Sequence, residues 1–106
     1  MSLELQISDR ARNDLSGQYS WYLEKANTEI AERYLDAFYA SALRLAAHPG
    51  LGRARKFRDA VLSGIRSFPM EGSFGTHLIF YRADALVLSI ERVMHGARDI
   101  PRRLLE

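Results

Sequence analysis

Leu3, Leu5 and Ile7 alternate with Glu4 and Gln6, the period-two pattern of a short strand with one buried face. Ser8 and Asp9 follow as candidate N-caps. From there Ala11, Leu15, Tyr19, Tyr22, Leu23 and Ala26 recur at three- and four-residue intervals while Arg12, Asp14, Glu24 and Lys25 stay off the stripe, which predicts an amphipathic helix. Asn27-Thr28 is a polar break with capping residues. Beyond it Ile30, Tyr34, Leu35, Phe38, Ala42 and Leu45 resume the helical spacing until His48-Pro49-Gly50 ends it. Two helices joined by so short a break predict an antiparallel hairpin.

After the hairpin the pattern changes. Leu51 to Ser63 holds Arg53, Arg55, Lys56 and Arg58 without sustained periodicity and reads as a basic loop. Gly64-Ile65-Arg66-Ser67-Phe68-Pro69 reads as a short strand closed by Pro69, which suits an edge or a strand end. Two β-rich runs, Thr76 to Tyr81 and Leu86 to Met94, flank Arg82-Ala83-Asp84-Ala85, the length of a hairpin connection. In the second run Leu86, Leu88 and Ile90 share a face unless a bulge shifts the register before Arg92. The order β-α-α-β-β-β predicts one α+β domain over residues 1–106, a helical hairpin packed on one face of a small antiparallel sheet whose other face stays open.

Composition narrows the chemistry. The absence of cysteine removes disulfides, thiolate catalysis, Cys-type zinc sites and iron–sulfur clusters. The N-terminus lacks a basic region followed by an apolar stretch, and no segment approaches the ~18 apolar residues of a membrane span, so a soluble cytoplasmic protein without membrane contact is expected. The formal charge of +2 divides unevenly, −3 over residues 1–43 and +5 over the remainder, which suits a surface facing a polyanion or an acidic protein. His48, His77 and His95 are far apart and have no carboxylate at a ligand spacing, so neither a metal nor a cofactor is expected. Gly50-Leu51-Gly52 lacks the rest of a phosphate loop and reads as a helix stop.

Arg66, Tyr81, Arg82, Arg92, His95 and Arg98 cluster in or just after the three C-terminal strands. Arginine forks bind phosphate oxygens, and His or Tyr can move a proton during attack by a ribose 2′-hydroxyl, so a metal-free ribonuclease is chemically open. The same residues also suit structural ion pairs and packing. Trp21 falls off the apolar stripe of its helix and is an interface candidate.

The combination of Ala11-Arg12-Asn13-Asp14-Leu15, His48-Pro49-Gly50-Leu51-Gly52, Gly64-Ile65-Arg66, His77-Leu78-Ile79-Phe80-Tyr81-Arg82 and Ile90-Glu91-Arg92-Val93-Met94-His95-Gly96-Ala97-Arg98-Asp99 resembles the ParE branch of the RelE/ParE toxin superfamily. The resemblance implies the toxin of a type II toxin–antitoxin module, of the kind described as plasmid stabilisation proteins, neutralised by a ParD-like antitoxin in a hetero-oligomer. ParE-like members inhibit DNA gyrase; RelE-like members are metal-free endoribonucleases that cut mRNA on the ribosome. Arg66 and Arg92 match the sheet arginines of the ribonucleases, but no tyrosine follows Tyr81, which favours gyrase. On the ribonuclease alternative Arg66, Tyr81, Arg92, His95 and Arg98 would carry the chemistry. On the gyrase reading Arg92, His95, Arg98, Arg102, Arg103, Leu104 and Leu105 would touch the target, while Trp21, Arg66 and Arg82 would meet the antitoxin.

Overall fold

The computed structural model describes residues 2–96 and 100–106. Strand β1 spans Glu4–Ile7 and turns Leu5 and Ile7 inward. Ser8 then stops the strand and starts helix α1, Asp9–Lys25, because its hydroxyl accepts from Ala11 N at 3.0 Å while donating to Glu91 O at 2.8 Å. Asn27 does the same for helix α2, Thr28–Ala47, its amide oxygen accepting from Ile30 N at 2.9 Å. The two helices pack as the hairpin their spacing predicts. Only Ala11 and Leu15 of α1 are fully buried, and Leu23, which the periodicity assigned to the stripe, is exposed.

The remaining strands are β2 (Arg53–Ala54), β3 (Arg66–Pro69), β4 (His77–Ala83) and β5 (Val87–His95), and a short helix, α3, follows at Ile100–Leu105. Among the described residues five strands form one sheet in the order β1-β5-β4-β3-β2. All neighbours are antiparallel except β1 and β5, which run parallel from Glu4 opposite Val87 to Ile7 opposite Ile90. The basic loop contributes the two-residue strand β2, so it, and not β3, forms the sheet's edge. Asp84 makes the β4–β5 turn by accepting from the N–H groups of Leu86 and Val87, both at 2.8 Å, and these donors hold its pKa below the usual carboxylate value.

A bulge does shift the register before Arg92: Phe80 pairs with Arg92 but Tyr81 with Ile90, so Glu91 is the extra residue. It resets the alternation. Leu88, Ile90 and Val93 therefore face the helices together with Ile79 and Tyr81, against Tyr34, Phe38 and Leu45.

The opposite face is not open, contrary to the expectation from the sequence. Leu62, Ile65, Phe80 and Met94 form a second core there, closed by Ile100 and Leu104 of α3 and flanked by Phe57 and Leu78. The sequence concealed it because its lid comes from an aperiodic loop and a six-residue helix, neither long enough to show a period.

Gly52 does not end α2, which stops at Ala47, but caps the short 3-10 turn Pro49–Leu51 that follows it. It lies directly under Tyr81, a fully buried ring whose hydroxyl accepts from Gly52 N at 2.8 Å and donates to Pro49 O at 2.7 Å. A Cβ at this position would overlap the hydroxyl and the ring. Gly52→Ala is therefore expected to cost about 1–3 kcal/mol by overpacking, read as a lower urea midpoint at unchanged m-value.

Candidate functional site

Beyond Ile7 the strand β1 ends while β5 continues to His95, leaving a stretch of β5 margin that α1 and α3 must serve. Asp14, on the second turn of α1, does most of this. Its Oδ2 accepts from Val93 N at 3.0 Å and from Arg92 Nε at 2.8 Å, and its Oδ1 accepts from a second Arg92 nitrogen at 3.0 Å. The remaining terminal nitrogen of Arg92 donates to Arg103 O at 2.8 Å. One fork thus joins the helical hairpin, the sheet and α3, and the carboxylate raises the Arg92 pKa further above its usual value. Two more contacts fasten α3: Arg10 donates to Leu104 O at 3.1 Å and Arg103 donates to His95 O at 3.3 Å.

Beside this node lies a polar cleft of about 340 Å³ lined by Asn13, Asp14, Gln18, His77, His95 and Arg103, among others. His95 is exposed at its mouth and His77 is buried in its floor. The His77 ring meets Tyr34 edge-on at 5.3 Å and His95 at 5.5 Å between centroids. Burial, reinforced by the proximity of His95, lowers the His77 pKa. His77 therefore sits in the cleft as a neutral ring near pH 7.

The candidates drawn from the sequence separate in the fold. His95 and Arg103 line the cleft, and Arg92 is bound to Asp14 beside it. Arg66 and Tyr81 are opposite one another on β3 and β4, four strand positions from the His77–His95 pair, about 13 Å at the rise of a strand. Arg92 pairs with Phe80 of the second core and thus leaves the sheet on the opposite side from Arg66, whose partner Tyr81 faces the helices. Arg66 donates to Gly52 O at 2.6 Å, and the Tyr81 hydroxyl is doubly bonded, as described above. Burial raises the Tyr81 pKa, which the Gly52 N–H and Arg66 only partly oppose.

Arg82 binds Glu91, Val61 O and, at 3.0 Å, Ser63 O, so it ties the second-core loop to the sheet. On α3, Arg102 and Leu105 are exposed and Arg103 is half-buried, while Leu104, expected as a target contact, is 4% exposed and packs in the second core. Trp21 is 51% exposed near the end of α1, its inner edge against Tyr22. Arg98 lies outside the described residues.

Asp14 and His77 are the cleft residues that sequence reasoning passed over. Both had a signal: Asp14 flanks the apolar stripe beside Ala11 and Leu15, and His77 shares strand parity with Ile79 and Tyr81. An ionisable group in either position has to be partnered or neutral.

A helical hairpin on one face of a five-stranded sheet, with a terminal helix latched over the other, is the architecture of small toxins of toxin–antitoxin modules. The comparisons agree. The family model described as "ParE toxin of type II toxin-antitoxin system, parDE" matches residues 5–100, and the chain belongs to that family. Among solved structures, the chromosomal ParDE toxin–antitoxin system from P. aeruginosa is similar, with 19% identity, a TM-score of 0.73, and coverage of 91% of this chain and 98% of that one. The toxin–antitoxin complex RelBE2 from Mycobacterium tuberculosis is similar at 22% identity and a TM-score of 0.60, covering 92% and 95%. No curated protein sequence matches significantly.

Two outcomes follow from the cleft. Asp14→Ala leaves the Arg92 guanidinium and Val93 N without their acceptor, and is expected to cost about 2–3 kcal/mol. Because Arg92 then loses its hold on α3, trypsin should also cut at Arg102 and Arg103 faster than in the parent protein. For His77 the sign is set by its lowered pKa: the unfolded chain, with a histidine near its ordinary value of about 6.5, binds more protons than the folded one. Stability is therefore complete above that value and declines as pH falls through it. His77→Phe, which keeps the edge contact with Tyr34, should show a smaller fall in melting temperature between about pH 7.5 and about pH 5.

Proposed function

We propose that the chain is a non-catalytic toxin that binds DNA gyrase through the outer surface of α3 and the rim of the cleft, and that a ParD-like antitoxin neutralises it. The observation that carries this reading is the dispersal of the nuclease set. A ribonuclease needs its phosphate-binding and proton-moving groups converged on one scissile bond. Here Arg66 and Tyr81 are bound to the Pro49–Gly52 turn, Arg92 is held by Asp14 and Arg103 O, and the two groups leave opposite sides of the sheet.

What remains outward is a contact surface of Arg102, Leu105, His95 and the half-buried Arg103. Membership of the ParE family supports gyrase as the target and a ParD-like partner. For the antitoxin, Trp21 offers an exposed aromatic anchor, while Arg66 and Arg82 are already engaged internally and would contribute charge rather than open donors. The excess of cations after residue 43 suits an acidic antitoxin tail. Such a module works in the bacterial cytoplasm, as a hetero-oligomer while silent.

The test is incubation of the purified protein with gyrase, ATP and supercoiled plasmid, followed by denaturation of the enzyme, beside a ribosome-bound mRNA cleavage lane. Linear plasmid with intact mRNA is expected. Arg102→Glu combined with Leu105→Ser, both at exposed positions, should reduce linearisation about tenfold or more, as expected for loss of interface hot spots, whereas His95→Ala should leave mRNA uncut as before. Cut mRNA with unaffected gyrase would replace this reading by the endoribonuclease one.

A further inference from the structure

The loop between α2 and β3 carries Arg53, Arg55, Lys56 and Arg58 within six residues. Some exposed or half-exposed cations elsewhere are matched, Arg33 to Glu29, Arg44 to Glu71 and Arg82 to Glu91, while Arg10, Arg66 and Arg103 donate to backbone carbonyls. Among the described residues none of the four loop cations has a carboxylate within 4.0 Å. The adjacent Asp59 is committed to its own turn, accepting from Val61 N at 2.9 Å.

The cations are also arranged. Arg53 pairs in register with Ser67, and Arg55 donates to the Ser67 hydroxyl at 2.9 Å, so both project on the second face of the sheet. The Arg55 guanidinium is held over Phe57 at 5.3 Å and Phe80 at 6.0 Å from the ring centroids. Arg55, Lys56, Arg58 and Gly64 line a hollow of about 420 Å³, with Asp59 as its one carboxylate. Burial, together with the charge of Arg53, lowers the Arg55 pKa, so an anion in this hollow would relieve a repulsion already present. Phe57 and Leu62 of the loop join Ile100 and Leu104 in one core, which sets the loop's cations beside α3.

We propose that this loop is a nucleic-acid contact that grips the phosphate backbone of duplex DNA without reading its sequence. Three of its four cations are arginines, whose forks match phosphate oxygens, and a duplex presents a charge about every 1.7 Å of axis, enough to answer several spread cations at once. An acidic peptide draws its affinity from apolar anchors seated in pockets. Here Phe57 and Leu62 pack against the second core, leaving Leu51 and Val61 as the loop's exposed large apolar residues, ten positions apart. The assignment stands apart from the choice of gyrase; where gyrase is the target, it sets the toxin against the DNA the enzyme holds.

The experiment is an anisotropy titration of the full chain onto a fluorescein-labelled duplex of mixed sequence, without gyrase, between about 50 and about 200 mM salt. Binding is expected to weaken with salt at a slope of about −0.9 per phosphate contacted. R53Q/K56Q/R58Q, which removes exposed and unpaired charges, should bind about tenfold or more weakly at low salt, lower that slope by about 2–3, and keep the parent melting temperature. No binding at low salt, or a variant with unchanged affinity and slope, overturns the assignment. So does displacement of the duplex by polyglutamate at a lower concentration of charge, which would make this an acidic-peptide surface. A chain that binds duplex through the loop yet leaves gyrase unaffected upholds the loop and removes only the gyrase reading.

Discussion

The Asp14 carboxylate joins α1 to β5 and, through Arg92, to α3. Strand β1 pairs with β5 only as far as Ile90, and the next margin of β5 has to find acceptors elsewhere. Asp14 accepts from Val93 N and in the same stroke fixes Arg92, whose other terminal nitrogen donates to the carbonyl of Arg103. Half-buried groups of opposite charge are costly to leave alone and cooperative when all their hydrogen bonds are made. Docking of the helical hairpin, termination of the sheet and seating of α3 are thereby one event.

That coupling has a functional side. The helix α3 is too short to be stable by itself; it exists because Ile100 and Leu104 cover the second core and because Arg10, Arg92 and Arg103 tie its end to α1 and β5. Its outward residues are consequently held on a defined surface beside the polar cleft. The chemistry of the sheet arginines follows from the same geometry. Arg66, Arg82 and Arg92 each bind partners within the chain and so help hold its layers together.

Charge is distributed by the same logic. Cations at junctions, such as Arg82 and Arg92, are neutralised by Glu91 and Asp14, whereas the loop cations from Arg53 to Arg58 have no such partner among the described residues. The first group serves the fold. In the second, Arg55 is fixed on Ser67, Phe57 and Phe80, and its charge, like those of Arg53, Lys56 and Arg58, is left without a carboxylate partner among the described residues.

Local pattern determined the helices, their caps and the β4–β5 hairpin, because a period of 3.6 or 2 and a capping Ser8, Asn27 or Asp84 act over a few residues. The motifs spread along the chain likewise carried the family. Tertiary structure alone decided three things. The parallel pairing of β1 with β5 joins residues more than 80 positions apart. The Glu91 bulge reverses which side Arg92 takes, and a one-residue shift leaves no trace in composition. The lid over the second face is assembled from an aperiodic loop and α3, whose apolar residues become a core only when brought together. Strand alternation and helical periodicity are properties of neighbours in sequence; whether a cation is a ligand site or a clasp depends on which carboxylate the fold delivers to it.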